Sequence, residues 1–259
     1  MFRGVLEMAG WIRVCVGALL ALQGVSALAL ETAIVTPRGA RVSMLVDVPD
    51  GAGPFPAIVI APGQGYHMRL PLMAQSAERL RAAGVLVYRF DWAYRGQPGA
   101  AGEPSEGLLA EAQDLSSVID AMRKDARANP KQLFIAGKSM GSVVAWRVMR
   151  TQPDLRAGAF LTPICSDEKD GRIESAAEEN YPHDAQHKRP TLFLAGDQDP
   201  LCAPSVLYRY AASLGGRARV AVVAGNHSLA VPADEPASAA NLDLATHSLV
   251  RFVADQLKR

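Results

Sequence analysis

Residues 133–141 have the sequence Leu-Phe-Ile-Ala-Gly-Lys-Ser-Met-Gly. Its apolar first half is typical of a buried strand, and residues 140–150 have the apolar periodicity of a helix. The segment Gly137 to Gly141 therefore fits the pattern G-x-S-x-G between a strand and a helix, where the serine takes a strained turn that exposes its hydroxyl. We predict that Ser139 is a nucleophile; the alternative is an ordinary glycine-rich turn.

Strands and helices alternate along the chain on both sides of this segment. Continuous apolar runs, each suited to burial on both faces of a sheet, occupy residues 57–61, 85–90, 133–136, 157–161, 191–195 and 220–223. Helical patterns between and after them occupy residues 72–83, 108–128, 140–150, 205–214 and 239–258. This order predicts an α/β fold with a mostly parallel, doubly wound sheet flanked by helices, and functional residues at the carboxyl ends of its strands.

The segment before residue 55 has a different pattern. Residues 32–36 and 41–48 alternate apolar and polar side chains on either side of Pro37-Arg38-Gly39. This pattern predicts an antiparallel hairpin at one edge of the sheet.

A serine nucleophile needs a general base and a carboxylate that orients the base, and the expected chain order is serine, acid, histidine. The predicted strand at 220–223 is followed by His227, which we predict to be the base. The strand at 191–195 is followed by Asp197 and Asp199. We favour Asp199 as the acid because it lies farther past the strand end, beside Pro200; Asp197 and Asp167 are the alternatives.

Acyl transfer also needs hydrogen-bond donors for the developing oxyanion. One expected donor is the backbone N–H of Met140, directly after the nucleophile. The second is expected from the glycine-rich residues 61–66, and we choose the N–H of Gln64, although a plain strand-to-helix turn is the alternative for this loop.

Three aromatic residues are candidates for contact with a substrate. Tyr66, Trp92 and Tyr94 follow predicted strands at the functional edge, with packing as the alternative role. Lys138 precedes the nucleophile, and we expect it to hold a neighbouring loop by an ion pair, with Asp91 as the suggested partner.

Composition excludes several classes of protein. The 259 residues are 49% hydrophobic and 20% charged, which is too apolar for a disordered chain and sufficient for a large core. A formal net charge of +1 without a basic stripe argues against nucleic-acid binding. The sequence has no metal-ligand spacing, no phosphate-binding loop and no dinucleotide motif, so we expect neither a metal nor another cofactor.

The first residues form a predicted signal peptide. Basic residues precede an apolar run from residue 14, and Ala27-Leu28-Ala29 supplies the small residues of a cleavage site. We predict cleavage after Ala29, export to the periplasm or the extracellular space, and a formally neutral mature domain at 30–259 without stable membrane insertion. The apolar run is short for a membrane span, with an uncleaved anchor as the alternative.

The mature chain keeps two cysteines. Cys165 and Cys202 would enter an oxidising compartment, where they form either a disulfide or two buried thiols. The sequence alone leaves this choice open, because it gives no distance between the two residues.

With Ser139, Asp199 and His227 assigned, the chain resembles the α/β-hydrolase superfamily over nearly all of residues 32–259. The segments 137–141, 194–200 and 225–228 are most similar to the small dienelactone-hydrolase-like and esterase-type branches. The resemblance implies a compact core with little or no cap, a serine nucleophile, an acyl-enzyme and hydrolysis by water. The chain departs from the dienelactone hydrolases themselves, which have cysteine where this sequence has Ser139.

The expected function is hydrolysis of an ester or related acyl bond of a small soluble substrate. The short insertion at 163–189 is rich in acidic residues and has no large apolar lid, which disfavours long-chain lipids. Thioesterase, amidase, peptidase and acyltransferase activities use the same residues, and a catalytically silent binding protein is the competing class. The sequence does not predict the oligomeric state.

Overall fold

The computed structural model describes residues 29–96, 102–183 and 188–258. The predicted signal peptide lies outside the described residues except for Ala29, so its cleavage stays a prediction. The strands are β1 Leu30–Val35, β2 Arg41–Asp47, β3 Phe55–Ala61, β4 Leu86–Phe90, β5 Ala128–Lys138, β6 Leu155–Leu161, β7 Ser166–Lys169, β8 Arg172–Ser175, β9 Thr191–Gly196 and β10 Ala218–Val223. The α-helices are α1 Pro71–Ala82, α2 Leu109–Lys124, α3 Met140–Thr151, α4 Ala177–Asn180, α5 Pro204–Ser213 and α6 Glu235–Leu257, and short 3₁₀ turns occupy Ala93–Gly96 and Glu106–Leu108.

Eight of these strands form one sheet in the order β1-β2-β4-β3-β5-β6-β9-β10. The pairs from β4 to β10 are parallel, whereas β1 and β2 pair antiparallel with each other and β2 pairs antiparallel with β4. All six strands predicted to be parallel are therefore in the sheet, with the predicted hairpin at its edge. The fold is the α/β fold that the sequence predicts, with helices on both faces.

The two faces of the sheet carry separate cores because side chains alternate along each strand. In β3, Ile58 and Ile60 are fully buried against the face covered by α1 and α6. Val59, between them, belongs to the core under α2, α3 and α5. Among the described helices, none combines the length and the apolar character needed to cross a membrane. The core fixes the sheet, and the loops at the carboxyl ends of its strands carry the candidate site.

Helix α2 ends at Lys124, although its pattern predicts a helix that continues to residue 128. The side chain of Asp125 accepts hydrogen bonds from the backbone N–H of Arg127 at 2.9 Å and from the Tyr88 hydroxyl at 2.6 Å. Ala128 then pairs with Phe55 of β3. An aspartate that turns the chain in this way competes with helical hydrogen bonding, so residues 125–128 leave the helix and start β5.

The insertion between β6 and β9 forms a hairpin, β7–β8, followed by the short helix α4. A disulfide joins Cys165 to Cys202 and so connects this insertion to the loop after β9. Tyr181, directly after α4, is fully buried among Trp146, Phe160 and Phe193. The insertion is thus anchored in the core at its base, while the hairpin itself is exposed.

Candidate active site

The turn from β5 into α3 holds Ser139 in a conformation that non-glycine residues rarely adopt, with φ of 53°. The glycines on either side allow this sharp turn because the backbone approaches closely there. A Cβ on Gly137 would lie 2.2 Å from the carbonyl oxygen of Gly141, and a Cβ on Gly141 would lie 2.3 Å from that of Pro62. The predicted strand-turn-helix context of Ser139 is therefore present.

The structure brings Ser139, His227 and Asp199 into one hydrogen-bonded chain. The imidazole Nε2 of His227 lies 2.8 Å from Ser139 Oγ, and its Nδ1 lies 2.8 Å and 3.0 Å from the two carboxylate oxygens of Asp199. The Asp199 side chain is completely buried, and that of His227 is 23% exposed. With its Nδ1 proton donated to the buried carboxylate, the imidazole can accept the hydroxyl proton of Ser139 at Nε2.

The alternative acids lie elsewhere. Asp197 is exposed, and its Oδ1 accepts the backbone N–H of Gly225 at 2.9 Å, which braces the loop that carries His227. Asp167 is exposed on the hairpin strand β7. Of the three carboxylates considered, Asp199 alone contacts His227.

The loop after β3 lies against the nucleophile. A Cβ on Gly63 would lie 3.2 Å from the Cβ of Ser139. Within the described part of the chain, the backbone N–H groups of Gln64 and Met140 donate no hydrogen bond. They are thus available as oxyanion donors, as the sequence predicts, and their role stays a prediction.

Tyr94 and Trp92 hold this loop from the neighbouring strand end. The Tyr94 hydroxyl donates to the carbonyl oxygen of Gln64 at 2.8 Å, and the indole N–H of Trp92 donates to that of Pro62 at 3.0 Å. Burial raises the pKa of Tyr94 to about 12, which keeps its hydroxyl protonated as a donor. Trp92 is 1% exposed and packs edge-on against Phe90, which favours the packing alternative for this residue.

Tyr66, the third aromatic candidate, lies next to Lys138. Its hydroxyl accepts the backbone N–H of Leu72 at 3.2 Å, and the Lys138 ammonium lies 5.0 Å from the centre of its ring. Burial raises the pKa of Tyr66, although its bond from Leu72 opposes that shift.

Lys138 does not pair with Asp91, contrary to the expectation from the sequence. Asp91 instead accepts the backbone N–H of Met68 at 2.7 Å, and Lys138 Nζ donates to the carbonyl oxygen of His227 at 3.4 Å. Lys138 is 5% exposed. Burial lowers its pKa to about 8, while the charge of Asp199 opposes this shift. The buried ammonium therefore connects the histidine loop to the loop after β3.

A hydrogen-bonded chain that the sequence does not predict lies beneath the nucleophile. The backbone N–H of Ile164 donates to Tyr181 Oη at 2.7 Å, Tyr181 Oη lies 2.8 Å from Ser142 Oγ, and Ser142 donates to the carbonyl oxygen of Ser139 at 2.6 Å. Ser142, one turn after Ser139 on α3, was the available signal, but nothing in the sequence points to Tyr181 as its partner. Among the described residues, no cluster of histidine, cysteine and acidic side chains is arranged to hold a metal ion.

Comparison with known families identifies the scaffold of this site. A family model described as the alpha/beta hydrolase domain matches residues 55–254, which span β3 to most of α6. The chain belongs to the α/β hydrolase family. None of the curated proteins compared with this α/β hydrolase matches it.

Solved structures share the fold of this α/β hydrolase at low sequence identity. Est1E from Butyrivibrio proteoclasticus is 15% identical with a TM-score of 0.66, covering 90% of this chain and 100% of its own. An alpha-beta serine hydrolase homologue from Coxiella burnetii is 18% identical with a TM-score of 0.65, covering 85% and 97%. XC6422 from Xanthomonas campestris, an α/β serine hydrolase without a lid, is 20% identical with a TM-score of 0.61, covering 90% and 95%.

Proposed function

We propose that this α/β hydrolase cleaves an ester or a related acyl bond of a small soluble substrate, with Ser139 as nucleophile. The observation that carries the proposal is the continuous chain of hydrogen bonds, with Ser139 Oγ 2.8 Å from His227 Nε2 and His227 Nδ1 2.8 Å from Asp199. A serine hydroxyl is a weak nucleophile by itself, and this arrangement is the one that activates it.

In the proposed reaction, Ser139 Oγ attacks the acyl carbonyl carbon while His227 takes the hydroxyl proton at Nε2. The N–H groups of Met140 and Gln64 donate to the oxyanion of the tetrahedral intermediate. His227 then gives its proton to the departing alcohol, and the acyl group stays on Ser139. A water molecule, deprotonated by His227, then attacks the acyl carbonyl carbon, and the bond to Ser139 Oγ breaks. His227 gives the proton from water to Ser139 Oγ as the acid leaves, which restores the free enzyme.

A small soluble substrate fits the surroundings of the site. The hairpin β7–β8 is exposed, and most of its side chains are charged. A lipase-type cover would instead present a large apolar surface to its substrate. The proposal therefore favours short acyl groups over long-chain lipids.

We also propose export of the protein. The predicted leader at 1–29 supports it, and so does the disulfide between Cys165 and Cys202, since such bonds persist in oxidising compartments. Expression of the full chain in a bacterium, followed by mass measurement of the protein from the periplasm and medium, tests this. A mature chain that begins at Leu30 is expected; an intact chain that stays in the cytoplasm would contradict the proposal.

Labelling by a fluorophosphonate probe tests the activated serine directly. Wild-type protein should react, and Ser139→Ala and His227→Ala should not, with circular dichroism as the check that each variant is folded. Hydrolysis of acyl esters from acetyl to decanoyl then measures the preferred chain length, and we expect the largest kcat/KM at the short end.

The outcomes separate the candidate functions. Both substitutions should lower ester hydrolysis by about 10⁴-fold or more, because members of such a triad act as one unit. Folded wild-type protein that neither labels nor hydrolyses any ester would overturn the hydrolase mechanism and indicate a binding protein on the same scaffold.

A further inference from the structure

A polar cavity of about 300 Å³ at the carboxyl edge of the sheet has no role in the proposed reaction. Its walls include Arg41, Ser43, His67, Asp91, Trp92 and Arg95. Its volume is at the lower end of the range for small-molecule sites. Binding sites of this size take specificity from a few polar groups, and most of the residues that line this cavity are polar or charged.

The fold brings these residues together from distant parts of the chain. Since β2 runs antiparallel to β4, the amino end of β2 lies beside the carboxyl end of β4. The backbone N–H of Asp91 donates to the carbonyl oxygen of Ser43 at 3.0 Å and fixes this junction. Arg41 and Ser43 alternate with the buried Val42, so both belong to the same face of β2.

The charges that line the cavity leave an excess of one positive charge when His67 is neutral. Within the described ranges, neither Arg41 nor Arg95 has a carboxylate partner, and the guanidinium of Arg95 makes one hydrogen bond there, at 3.5 Å to the carbonyl oxygen of Gln64. Asp91 is the one acidic residue of the lining and is already bound to the N–H of Met68 at 2.7 Å.

The imidazole of His67 adds a donor to this set. Its Nδ1 accepts the backbone N–H of Arg69 at 3.2 Å, so the neutral ring carries its proton on Nε2. Guanidinium groups bind carboxylates through paired charge-assisted hydrogen bonds. A ligand with a single negative charge matches the excess charge of the lining.

The cavity is next to the proposed oxyanion loop. Trp92 of the cavity wall donates to the carbonyl oxygen of Pro62, and Tyr94, next to Arg95 in the chain, donates to that of Gln64. On the other side of this loop, Gly63 lies against Ser139. In the strand order β2-β4-β3-β5, the loop after β3 lies between the cavity and the nucleophile, so a substrate that occupies both must pass over this loop.

We propose that this cavity is a subsite for a carboxylate group of the substrate, held by Arg41, Arg95 and His67. The inference rests on the proposed ester hydrolysis and narrows its substrate class to short esters that carry a carboxylate. The carboxylate can belong to the acyl part or to the alcohol part, and the experiment distinguishes the two.

Each carboxylate ester is compared with its primary amide, which has the same shape and no charge. Monoethyl glutarate carries its carboxylate on the acyl part, and ethyl glutaramate is its neutral counterpart. In the second pair, 4-acetoxybutyrate carries the carboxylate on the alcohol part, and 4-acetoxybutyramide is its neutral counterpart. In one of the two pairs, we expect wild-type kcat/KM to favour the carboxylate by at least about tenfold, since a charge-assisted pair replaces a neutral hydrogen bond. Arg41→Gln should lower this ratio about tenfold, mainly through KM, and 0.5 M NaCl should lower it as well.

Arg69→Gln is the matched control, because Arg69 is an exposed arginine near the cavity that pairs with Glu31 at 2.8 Å. This variant should keep the wild-type ratio. If neutral esters are hydrolysed and neither pair favours the carboxylate, the subsite proposal is wrong while the proposed function stands.

A binding measurement tests the subsite without turnover. Folded Ser139→Ala is titrated calorimetrically with monoethyl glutarate and 4-acetoxybutyrate, and with their two amides. One carboxylate should bind at least about tenfold more tightly than its amide, and Arg41→Gln in the same background should remove the difference. Equal binding within both pairs would overturn the proposal even for a protein that hydrolyses no ester.

Discussion

Asp199 holds the imidazole of His227 through both of its carboxylate oxygens, and its Oδ1 also accepts the backbone N–H of Leu201 at 2.9 Å. Asp199→Asn keeps the size of the side chain but can present an amide N–H to Nδ1, which would leave the ring proton on Nε2. We therefore expect kcat/KM for a short ester to fall by about 10³–10⁴-fold. Steady-state hydrolysis at pH 7.5 measures the effect.

Asp197→Asn is the matched control on the same loop. The amide oxygen of the asparagine can still accept the N–H of Gly225, as the carboxylate does at 2.9 Å. The expected loss in kcat/KM is less than about tenfold, corresponding to one surface hydrogen bond. Equal losses in the two variants would mean that the acid is wrongly assigned.

Lys138 makes the stability of the protein depend on pH. Its pKa is about 8 in the folded state against an ordinary 10.5, so above pH 8 the unfolded chain binds more protons. The free energy of unfolding should therefore rise between pH 8 and 10.5, by up to about 3 kcal/mol, and this gain is absent below pH 8.

Urea unfolding of the wild type and Lys138→Met at pH 7, 8, 9 and 10 isolates this contribution from those of other groups. Methionine fills a similar volume without a charge. The wild type should gain stability relative to the variant as pH rises. A constant difference between the two proteins across this range would show that the lysine keeps an ordinary pKa.

At the scale of single residues, the sequence predicts the place of a functional residue in the fold better than it predicts which groups its side chain contacts. Ser139, Asp199 and His227 each follow a strand of one parallel sheet, so their meeting follows from the fold. The partner of Lys138 depends instead on the path of the loops. The Asp91 carboxylate accepts the backbone N–H of Met68, and the Lys138 ammonium donates instead to the carbonyl oxygen of His227 at 3.4 Å.

Between elements, a buried ion pair joins Arg89 of β4 to Asp47 of β2. Arg89 donates to both oxygens of Asp47 at 2.8 Å and 2.9 Å, and also to the carbonyl oxygen of Met68 at 2.7 Å. Arg89→Met should lower the free energy of unfolding by about 3–5 kcal/mol, because it leaves the Asp47 carboxylate buried without its partner. Urea denaturation followed by tryptophan fluorescence measures the loss.

The double variant Asp47→Leu with Arg89→Met tests the reason for that loss. It removes both charges, so most of the stability should return. Arg81→Met is the control, because it breaks an ion pair with the exposed Asp50 at 3.2 Å. This change should lower the free energy of unfolding by less than about 1 kcal/mol. A double variant as unstable as Arg89→Met would show that packing, not the unpaired charge, causes the loss.

Element boundaries were predictable where apolar periodicity decides them and not where a polar side chain does. The sequence predicted α6 from residue 239, but the helix begins at Glu235 because Asp234 caps it through the N–H of Ala237 at 2.9 Å. The end of α2 was misplaced for a similar reason, since Asp125 turns the chain. Strands β7 and β8 were not predicted, because their exposed charged residues have no apolar alternation.

On the scale of the whole molecule, the disulfide between Cys165 and Cys202 closes a loop with a sequence separation of 37. The sequence left the pairing open because Cα distances follow from the fold. In the structure, the backbone N–H of Cys165 donates to the carbonyl oxygen of Leu201 at 2.8 Å. The backbone N–H of Cys202 donates to the backbone carbonyl oxygen of Asp199 at 3.2 Å. The bond therefore fastens the insertion to the loop that carries the acid.

Removal of this bond should destabilise the folded protein chiefly by freeing the unfolded chain. Cys165→Ala with Cys202→Ala is expected to lower the free energy of unfolding by about 4 kcal/mol, the loop-closure entropy for a loop of this length. Urea unfolding with and without dithiothreitol measures it. The reductant should destabilise the wild type by a similar amount and leave the double variant unchanged; a wild type that is equally stable in both conditions would show that the two cysteines are not bonded in solution.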